Sequence, residues 1–398
     1  MKIAIYHNLP SGGAKRLLYE FTKRLHDHHE IHIYTTSSAN HDFCDLRPFA
    51  AAYHIYPFTP GVLFKSPFGR LNQIIRTFDL YKLNRLEKQI ANDIRLEKFD
   101  SVLVQPCQFQ NAPSLLQHLH DMPTVFYCHE PLRILYETMP PRPYDQDEGG
   151  LRRLVDKIDP MKAIFYMTLK NNDRKNVSAA KSVLVNSIFN RGAVKKIYSV
   201  DPSVCYPGVD INFFKPSLEV EENFVLSVGS LTPLKGFDLI IQSLGLIPEN
   251  IRPIFKIASN FSNQPEYQYI QSLAEKHHVT TEFHSGISDE ALVSLYNRAL
   301  FTIYTPIREP FGLVPIESMA CGTPVIGVNE GGLMETILHG ETGFLVNRDP
   351  IEISEKILVL IQQKITREKF SQTARQYVLE KWTWEHSTQK LEKILSNV

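Results

Sequence analysis

Cysteine is scarce in this 398-residue chain. There are five, Cys44, Cys107, Cys128, Cys205 and Cys321, scattered and without a CxxC pair. That count excludes a disulfide framework or zinc ribbon and fits free thiols in a reducing compartment. Long apolar runs are missing as well. The opening MKIAIYHNLPSGG carries one lysine and a short apolar run that a turn ends, too little for a signal-peptide core. No later run approaches the ~20 residues of a membrane span. A cytoplasmic location is the expectation, peripheral at the inner face of the cell membrane at most. Net charge is absent too, with 43 basic residues against 43 acidic ones, and no nucleic-acid partner is expected. The Gly12–Gly13 turn lacks both G-x-G-x-x-G spacing and a clear acid about 20 residues on, so a nicotinamide cofactor is not indicated.

The neutral total hides an asymmetry. Residues 1–200 hold 27 lysines and arginines against 19 acids, and residues 201–398 hold 16 against 24. A basic first half suits an anionic partner, such as a phosphorylated substrate or a membrane surface. A hydrophobic content of 43% and a charged content of 22% are those of a globular protein, and the length suits two domains.

Short apolar runs alternate with stretches of helical spacing. KIAIY, IHIYTT, SVLVQ (Ser101–Gln105), TVFYCHE (Thr124–Glu130) and SVLVNS (Ser182–Ser187) form one series. FVLSVGSL (Phe224–Leu231), IFKIAS, TEFHSG, LFTIYTP (Leu300–Pro306) and PVIGVN form a second. Such alternation predicts an α/β protein of two Rossmann-like domains, with parallel sheets covered on both faces. The turn-rich, then acidic stretch Tyr206–Asn223 reads as the linker. Ligands of such sheets bind beyond the carboxyl ends of the strands, so the residues just after each strand carry the functional reading.

After the first strand, Gly12 and Gly13 precede a helix, where bare amides can approach an anion. His129 stands at the end of TVFYCHE. In SVGSLTPLKG, Lys235 adjoins Gly236 and a helix start, a place suited to a phosphate oxygen. After LFTIYTP comes Glu309, then Pro310-Phe311-Gly312, and Pro315 fits the first turn of a helix. Glu317 is expected in that same first turn. It is either a favourable charge at a helix dipole or a carboxylate accepting hydrogen bonds from sugar hydroxyls.

Together, SGGAKR (11–16), YCHEPLR (127–133), VNSIFNR (185–191), YPGVD (206–210), VGSLTPLKG (228–236), FHSGISDEALVSLY (283–296), EPFGLVPIESMACGTPVI (309–326) and GGLMETILHGETGFLV (331–346) resemble the retaining glycosyltransferases of GT-B architecture, family 4. Glu309 and Glu317 match that family's E-x7-E motif. The resemblance implies two domains facing across a cleft: residues 1–207 with a returning C-terminal helix 380–398 on the acceptor side, and residues 208–379 on the donor side. It implies transfer of a hexose from a UDP- or GDP-sugar to a hydroxyl of a glycan or lipid-linked acceptor, by same-face attack. The nucleotide sugar is a substrate, and neither a cofactor nor a catalytic metal is implied. No DxD-type metal site stands near the strand-end motifs.

Residue by residue, the resemblance assigns Glu317 to the ribose and Glu309 to the donor sugar. The amides of Phe311, Gly312 and Leu313 would face that sugar or its phosphate. Lys235 would meet the diphosphate, with Gly13 closing over it, His129 would lie near the reacting centre, and Ile287 would pack near the base. Two positions depart from the pattern. Ser230 stands where arginine is common, removing a cation from the diphosphate. Lys15 stands where glutamate is common, and the expectation is that Lys15 or Arg16 restores the missing charge, against the alternative of a solvated surface lysine. The basic, apolar stretch Arg70–Asp100, preceded by GVLFKSPF, offers a membrane-surface contact or simply packs on its own sheet. Another chemistry on the same fold (a sugar-nucleotide epimerase or a phosphorylase) and a degenerate nucleotide-binding subunit are the alternatives.

Overall fold

The computed structural model describes residues 1–398 apart from 66–67, 147–158 and 261–262. The Pro-rich stretch TMPPRPYDQDEGG (Thr138–Gly150), which the sequence suggests as an acceptor loop, lies partly outside the described residues. The chain divides into two compact units. The first comprises Met1–Thr138, Glu148–Tyr206 and Ser387–Val398, and the second comprises Met139–Asp147 and Pro207–His386.

The first unit is built on a parallel sheet of β1 (Lys2–Asn8), β2 (Glu30–Thr36), β3 (Ala52–Tyr56), β4 (Ser101–Cys107), β5 (Thr124–Cys128), β6 (Ser182–Val185) and β7 (Ser203–Val204), in the order β3-β2-β1-β4-β5-β6-β7. Its central strands are buried almost throughout, which is why they read as unbroken apolar runs. Helices α1 (Gly13–Leu25), α2 (Asn72–Leu96), α3 (Pro160–Ala179) and α4 (Ile188–Tyr198) follow or link the strands. Tyr6, Tyr34, Val104 and Phe126 from the sheet pack with Ile90 and Ile94 of α2 and Val177 of α3 in one core.

Helix α2 divides along its length. Leu83, Ile90 and Ile94 are buried, whereas Ile74, Phe78 and Tyr81 are 41%, 61% and 60% exposed. Its buried face includes an acid, Glu87. That carboxylate accepts from Tyr6 Oη (2.7 Å), Gln110 Nε2 (2.9 Å), the Leu115 amide (3.1 Å) and Ser114 Oγ. Burial pushes its pKa up, and these donors pull it back.

The second unit repeats the design with β8 (Phe224–Val228), β9 (Ile254–Ser259), β10 (Thr281–Ser285), β11 (Phe301–Tyr304), β12 (Val325–Val328) and β13 (Gly343–Val346), ordered β10-β9-β8-β11-β12-β13 and all parallel. Its longer helices are α5 (Phe237–Gly245), α6 (Gln264–Lys276), α7 (Asp289–Arg298), α8 (Leu313–Ala320), α9 (Pro350–Gln362) and α10 (Lys364–Lys381).

The Tyr206–Asn223 stretch is more than a linker. Val209 bridges to Thr383, and a Cβ on Gly208 would meet the Trp384 amide nitrogen at 2.4 Å. Phe214 is buried against Tyr296, with ring centroids 6.2 Å apart. The last helix, α11 (Trp384–Leu395), returns the chain to the first unit, where Glu392 lies 3.0 Å from His29.

Candidate active site

The carboxyl ends of β8 and β11 bring Lys235 and Glu309 together. Lys235 follows β8 in a short 3-10 turn, Pro233–Lys235, closed by Gly236 at φ 68°. No other residue fits there, because a Cβ on Gly236 would lie 2.1 Å from the Thr305 carbonyl oxygen. Gly229 leaves room for the lysine stem, which a Cβ would meet at 3.2 Å. Lys235 Nζ then donates to Glu309 Oε2 at 2.8 Å and to Tyr304 Oη at 3.3 Å. Burial alone would lower the lysine's pKa, but the Glu309 carboxylate and Tyr304 outweigh it and leave the ammonium more firmly protonated than usual. An ammonium has three donors, and these bonds use two.

Glu309 is held by its backbone. Its carbonyl accepts from the Gly332 amide at 2.8 Å, and Gly331 packs so closely that a Cβ would lie 2.5 Å from that carbonyl oxygen. Gly332 lies as near to Phe311 Cα and the Pro310 carbonyl oxygen. The paired glycines of GGLMET thus let one turn lie against another. Arg348 adds bonds to the carbonyls of Thr305 (2.9 Å) and Pro306 (3.1 Å), fixing the chain as it leaves β11.

Helix α8 begins immediately beyond. Gly312, at φ 92°, precedes it, with no capping side chain and no acid in the first turn. The leading amides, including that of Leu313, are therefore open to an anion. Phe311 is buried, and its ring meets Trp382 edge-on at 5.4 Å. Glu317 departs from expectation. It is the fifth residue of α8, two residues deeper than anticipated, and only 9% exposed. At that depth dipole placement does not account for it. It accepts from Tyr296 Oη at 3.1 Å, and burial together with the carboxylate drives that phenol's pKa well up. Ile287 is half-buried after Gly286, in the loop between β10 and α7. Ser230 is half-buried, its carbonyl accepting from the Thr232 amide at 2.8 Å.

One further residue of this unit was not legible in the sequence. Arg142 bridges the first turns of α5 and α6. Its guanidinium donates to Asp238 (2.8 Å), to Glu266 (2.9 Å) and to the Pro233 carbonyl (3.3 Å). Tyr144 Oη adds a 2.6 Å bond to Glu266, and the Tyr269 ring lies 5.1 Å from the guanidinium carbon. Arg142 and Tyr144 thereby hold the turn that carries Lys235.

In the first unit, Gly12 precedes α1 at φ 143° with open space where a Cβ would stand, and Gly13 is exposed. His129 follows β5. Its Nε2–H donates to Gln105 Oε1 at 2.8 Å, leaving Nδ1 as the acceptor. Its carbonyl accepts from Asn190 (2.8 Å) and Asn186 (3.0 Å). Burial lowers the imidazole to about 3, so it is neutral at physiological pH. Gln105 is fully buried and its Nε2 lacks a partner.

Lys15 is not a solvated surface lysine. The side chain is fully buried, with Nζ 3.4 Å from His7 Nε2, and burial lowers it to about 8. Arg16 lies over the Phe43 ring at 5.8 Å.

Residues 209–377 match the model of the family glycosyl transferases group 1. That match lies within the second unit. It is 25% identical over 402 residues to the alpha-1,3/1,6-mannosyltransferase ALG2 of Saccharomyces cerevisiae, covering 87% of this chain and 75% of the yeast one. Among solved structures it is similar to Anabaena HepE in complex with UDP and glucose (TM-score 0.70, 20% identity, 100% of both chains). It is also similar to sucrose-phosphate synthase from Thermosynechococcus elongatus (TM-score 0.75, 18% identity, 99% and 98% of the chains). These likenesses show the fold of this glycosyltransferase, GT-B with two parallel-sheet α/β units.

Proposed function

We propose that this glycosyltransferase moves a hexose from a nucleotide sugar to a hydroxyl of a glycan or lipid-linked acceptor, with retained anomeric configuration and no metal in the reaction. The observation that carries this is the meeting of Lys235 and Glu309 beside the uncapped start of α8. A cation and open amides suit a diphosphate, and a carboxylate suits sugar hydroxyls. Glu317 accepts from the ribose diol. Ile287 borders the base. The second unit holds the donor, and the first, with Gly12, Gly13 and His129, serves the acceptor.

Chemically, the bond from the anomeric carbon to phosphate oxygen breaks as the acceptor oxygen bonds to the same face. The departing diphosphate takes the acceptor's proton. Lys235 and the α8 amides stabilise the charge that builds on the diphosphate, which is where such a site lowers the barrier. His129, neutral with Nδ1 as an acceptor, orients a hydroxyl and is not a proton donor. Charge lost at Ser230 is not restored by Lys15, which is committed to His7, so leaving-group stabilisation falls mainly to Lys235. The name of the yeast relative favours mannose as the sugar. Incubation with a panel of UDP- and GDP-linked hexoses tests the proposal. Slow hydrolysis of one donor, accelerated by an acceptor, is expected. A donor isomerised without acceptor would identify an epimerase, and a need for inorganic phosphate a phosphorylase. No consumption and no donor-induced rise in melting temperature would leave a degenerate subunit.

An anionic membrane surface is the proposed peripheral contact of the first unit. Val62, Phe64, Phe78, Ile164 and Met167 are at least half exposed, and Lys65 and Lys82 are charged neighbours in sequence. Among the described residues no helix is long and apolar enough to cross a membrane. Flotation with anionic vesicles but not with neutral ones is expected. Equal recovery from both would count against the contact.

A further inference from the structure

A second cluster lies in the first unit, near the amino-terminal end of β2 and far along that strand from the carboxyl end where ligands of such sheets bind. Glu30 and His32 alternate on β2 and share a face. His54 is on β3, opposite Tyr34 in the register, and Glu97 directly follows α2. One ring nitrogen each of His32 and His54 and a Glu97 carboxylate oxygen all lie within 4.8 Å of one another. His32 Nδ1 and His54 Nε2 are shut off from solvent and have no hydrogen-bond partner.

Local bonding sets what these atoms are. His32 Nε2 lies 2.8 Å from Glu30 Oε1. A carboxylate only accepts, so Nε2 carries the proton, and in the neutral ring Nδ1 presents a lone pair. That lone pair faces Glu97 Oε2 across 3.2 Å. Two acceptors and the orphaned His54 Nε2 therefore lie close together, with the Lys2 ammonium bound to Glu97 from one side and neither histidine nitrogen engaged.

We propose that His32, His54 and Glu97 bind a divalent metal ion of zinc(II) type. Two imidazole nitrogens and one carboxylate oxygen, completed by water, form a ligand set that zinc accepts and that magnesium or calcium, which favour all-oxygen sites, do not. The Glu30–His32 bond is the carboxylate–histidine pairing that orients a metal-binding ring. Tyr34 stacks on His54 with centroids 4.6 Å apart and steadies the second ring. Lys2 is the resident competitor, with Nζ 2.7 Å from Glu97 Oε2 and 3.6 Å from Glu30 Oε1. A bound ion would take Glu97 from this lysine and tie β2, β3 and the end of α2 together. The role is a structural staple, independent of the proposed sugar transfer.

The test uses chelator-stripped, tag-free full-length protein titrated calorimetrically with zinc(II) alone, with cobalt(II) as the spectroscopic probe. One equivalent of zinc, visible cobalt absorption and a raised melting temperature are expected. His54→Ala and Glu97→Gln should each weaken binding by ~10–100-fold or more. Lys2→Met should tighten it severalfold by removing the competing ammonium, whereas a mere packing disturbance would weaken it. No zinc uptake by the stripped protein, or uptake undiminished in both ligand variants, would overturn the site. Should the ligand variants fail to fold, Lys2→Met decides: tighter binding supports the site, and equal or weaker binding overturns it.

Discussion

Lys235 Nζ and Glu309 Oε2 stand 2.8 Å apart although 74 residues separate them in the chain. Neither belongs to a regular strand, and each is set by glycines that let backbones touch: Gly236 against Thr305, and Gly331 against Glu309. The pair is partly exposed, at 21% and 18%, so it is worth little as a stabilising bridge. Its place at the strand ends is better understood as readiness for a charged ligand. In the proposed reaction the ammonium exchanges its carboxylate partner for phosphate oxygens while Glu309 turns to sugar hydroxyls.

Glu317 is expected to govern donor affinity more than turnover. Glu317→Gln keeps an acceptor oxygen but loses the charge, and should raise the KM for the donor about tenfold while kcat changes less, the pattern of a uniform binding contact. Tyr296→Phe, which removes only the bond to Glu317, should have a smaller effect in the same direction. Steady-state kinetics on both variants check this.

His129 should contribute no ionisation between pH 5 and 9. Its folded pKa, lowered by burial to about 3, lies below the ordinary 6.5. The unfolded chain therefore binds more protons than the folded one between these values, and stability is lost as pH falls through that window. Melting temperatures of the wild type and His129→Phe should converge as pH drops from 6.5 towards 3. Gln105→Glu places a carboxylate at the bonded ring nitrogen and should introduce an ionisation near neutrality into the kcat/KM profile. A profile unchanged by that substitution would detach Gln105 from His129.

Lys15 carries the opposite-facing test of charge compensation. Its folded value of about 8 is below the ordinary 10.5, so folding is relatively favoured as pH rises from about 8 to 10.5. Lys15→Met should remove that rise and leave the donor KM unchanged. A tenfold loss of donor affinity in Lys15→Met would restore the lysine to the diphosphate.

Arg142 is buried with two acids, and Arg142→Ala leaves Glu266, which is fully buried, without its counter-ion. Breaking such a pair costs ~3–5 kcal/mol, visible as a lower melting temperature. Because Arg142 also holds the Pro233 carbonyl, kcat should fall as well. Arg142→Lys should rescue little, since an ammonium cannot reproduce the forked bonds. Normal kinetics in a folded Arg142→Ala protein would limit the residue to stability.

Much of this was legible in the sequence because central strands are buried on both faces and cannot hide their apolar runs. The strands not legible there, β3, β7 and β13, all lie at sheet edges, where each is short or only partly buried. Glu309 and Lys235 were legible because motif residues adjoin strand ends. Gln105, Tyr296, Tyr304, Arg142 and Arg348 were not, since each acts through a partner distant in sequence and sits in no local pattern. Lys15 misled for the converse reason: position after Gly-Gly suggests exposure, whereas the first turn of α1 points it down onto His7. Glu317 was placed too early because Pro315 was counted near the helix start, while α8 begins two residues before it.

The most direct measurement is calorimetric titration of the nucleoside diphosphate of the active donor into wild type, Lys235→Ala and Glu309→Gln, paired with single-turnover rates. Lys235→Ala is expected to lose both diphosphate affinity and ~10²–10³-fold in rate, the scale for removing a principal charge-stabilising group. Glu309→Gln should still bind the nucleoside diphosphate yet fail in sugar transfer. Undiminished binding and transfer in Lys235→Ala would contradict the assignment of the Lys235–Glu309 pair to the donor.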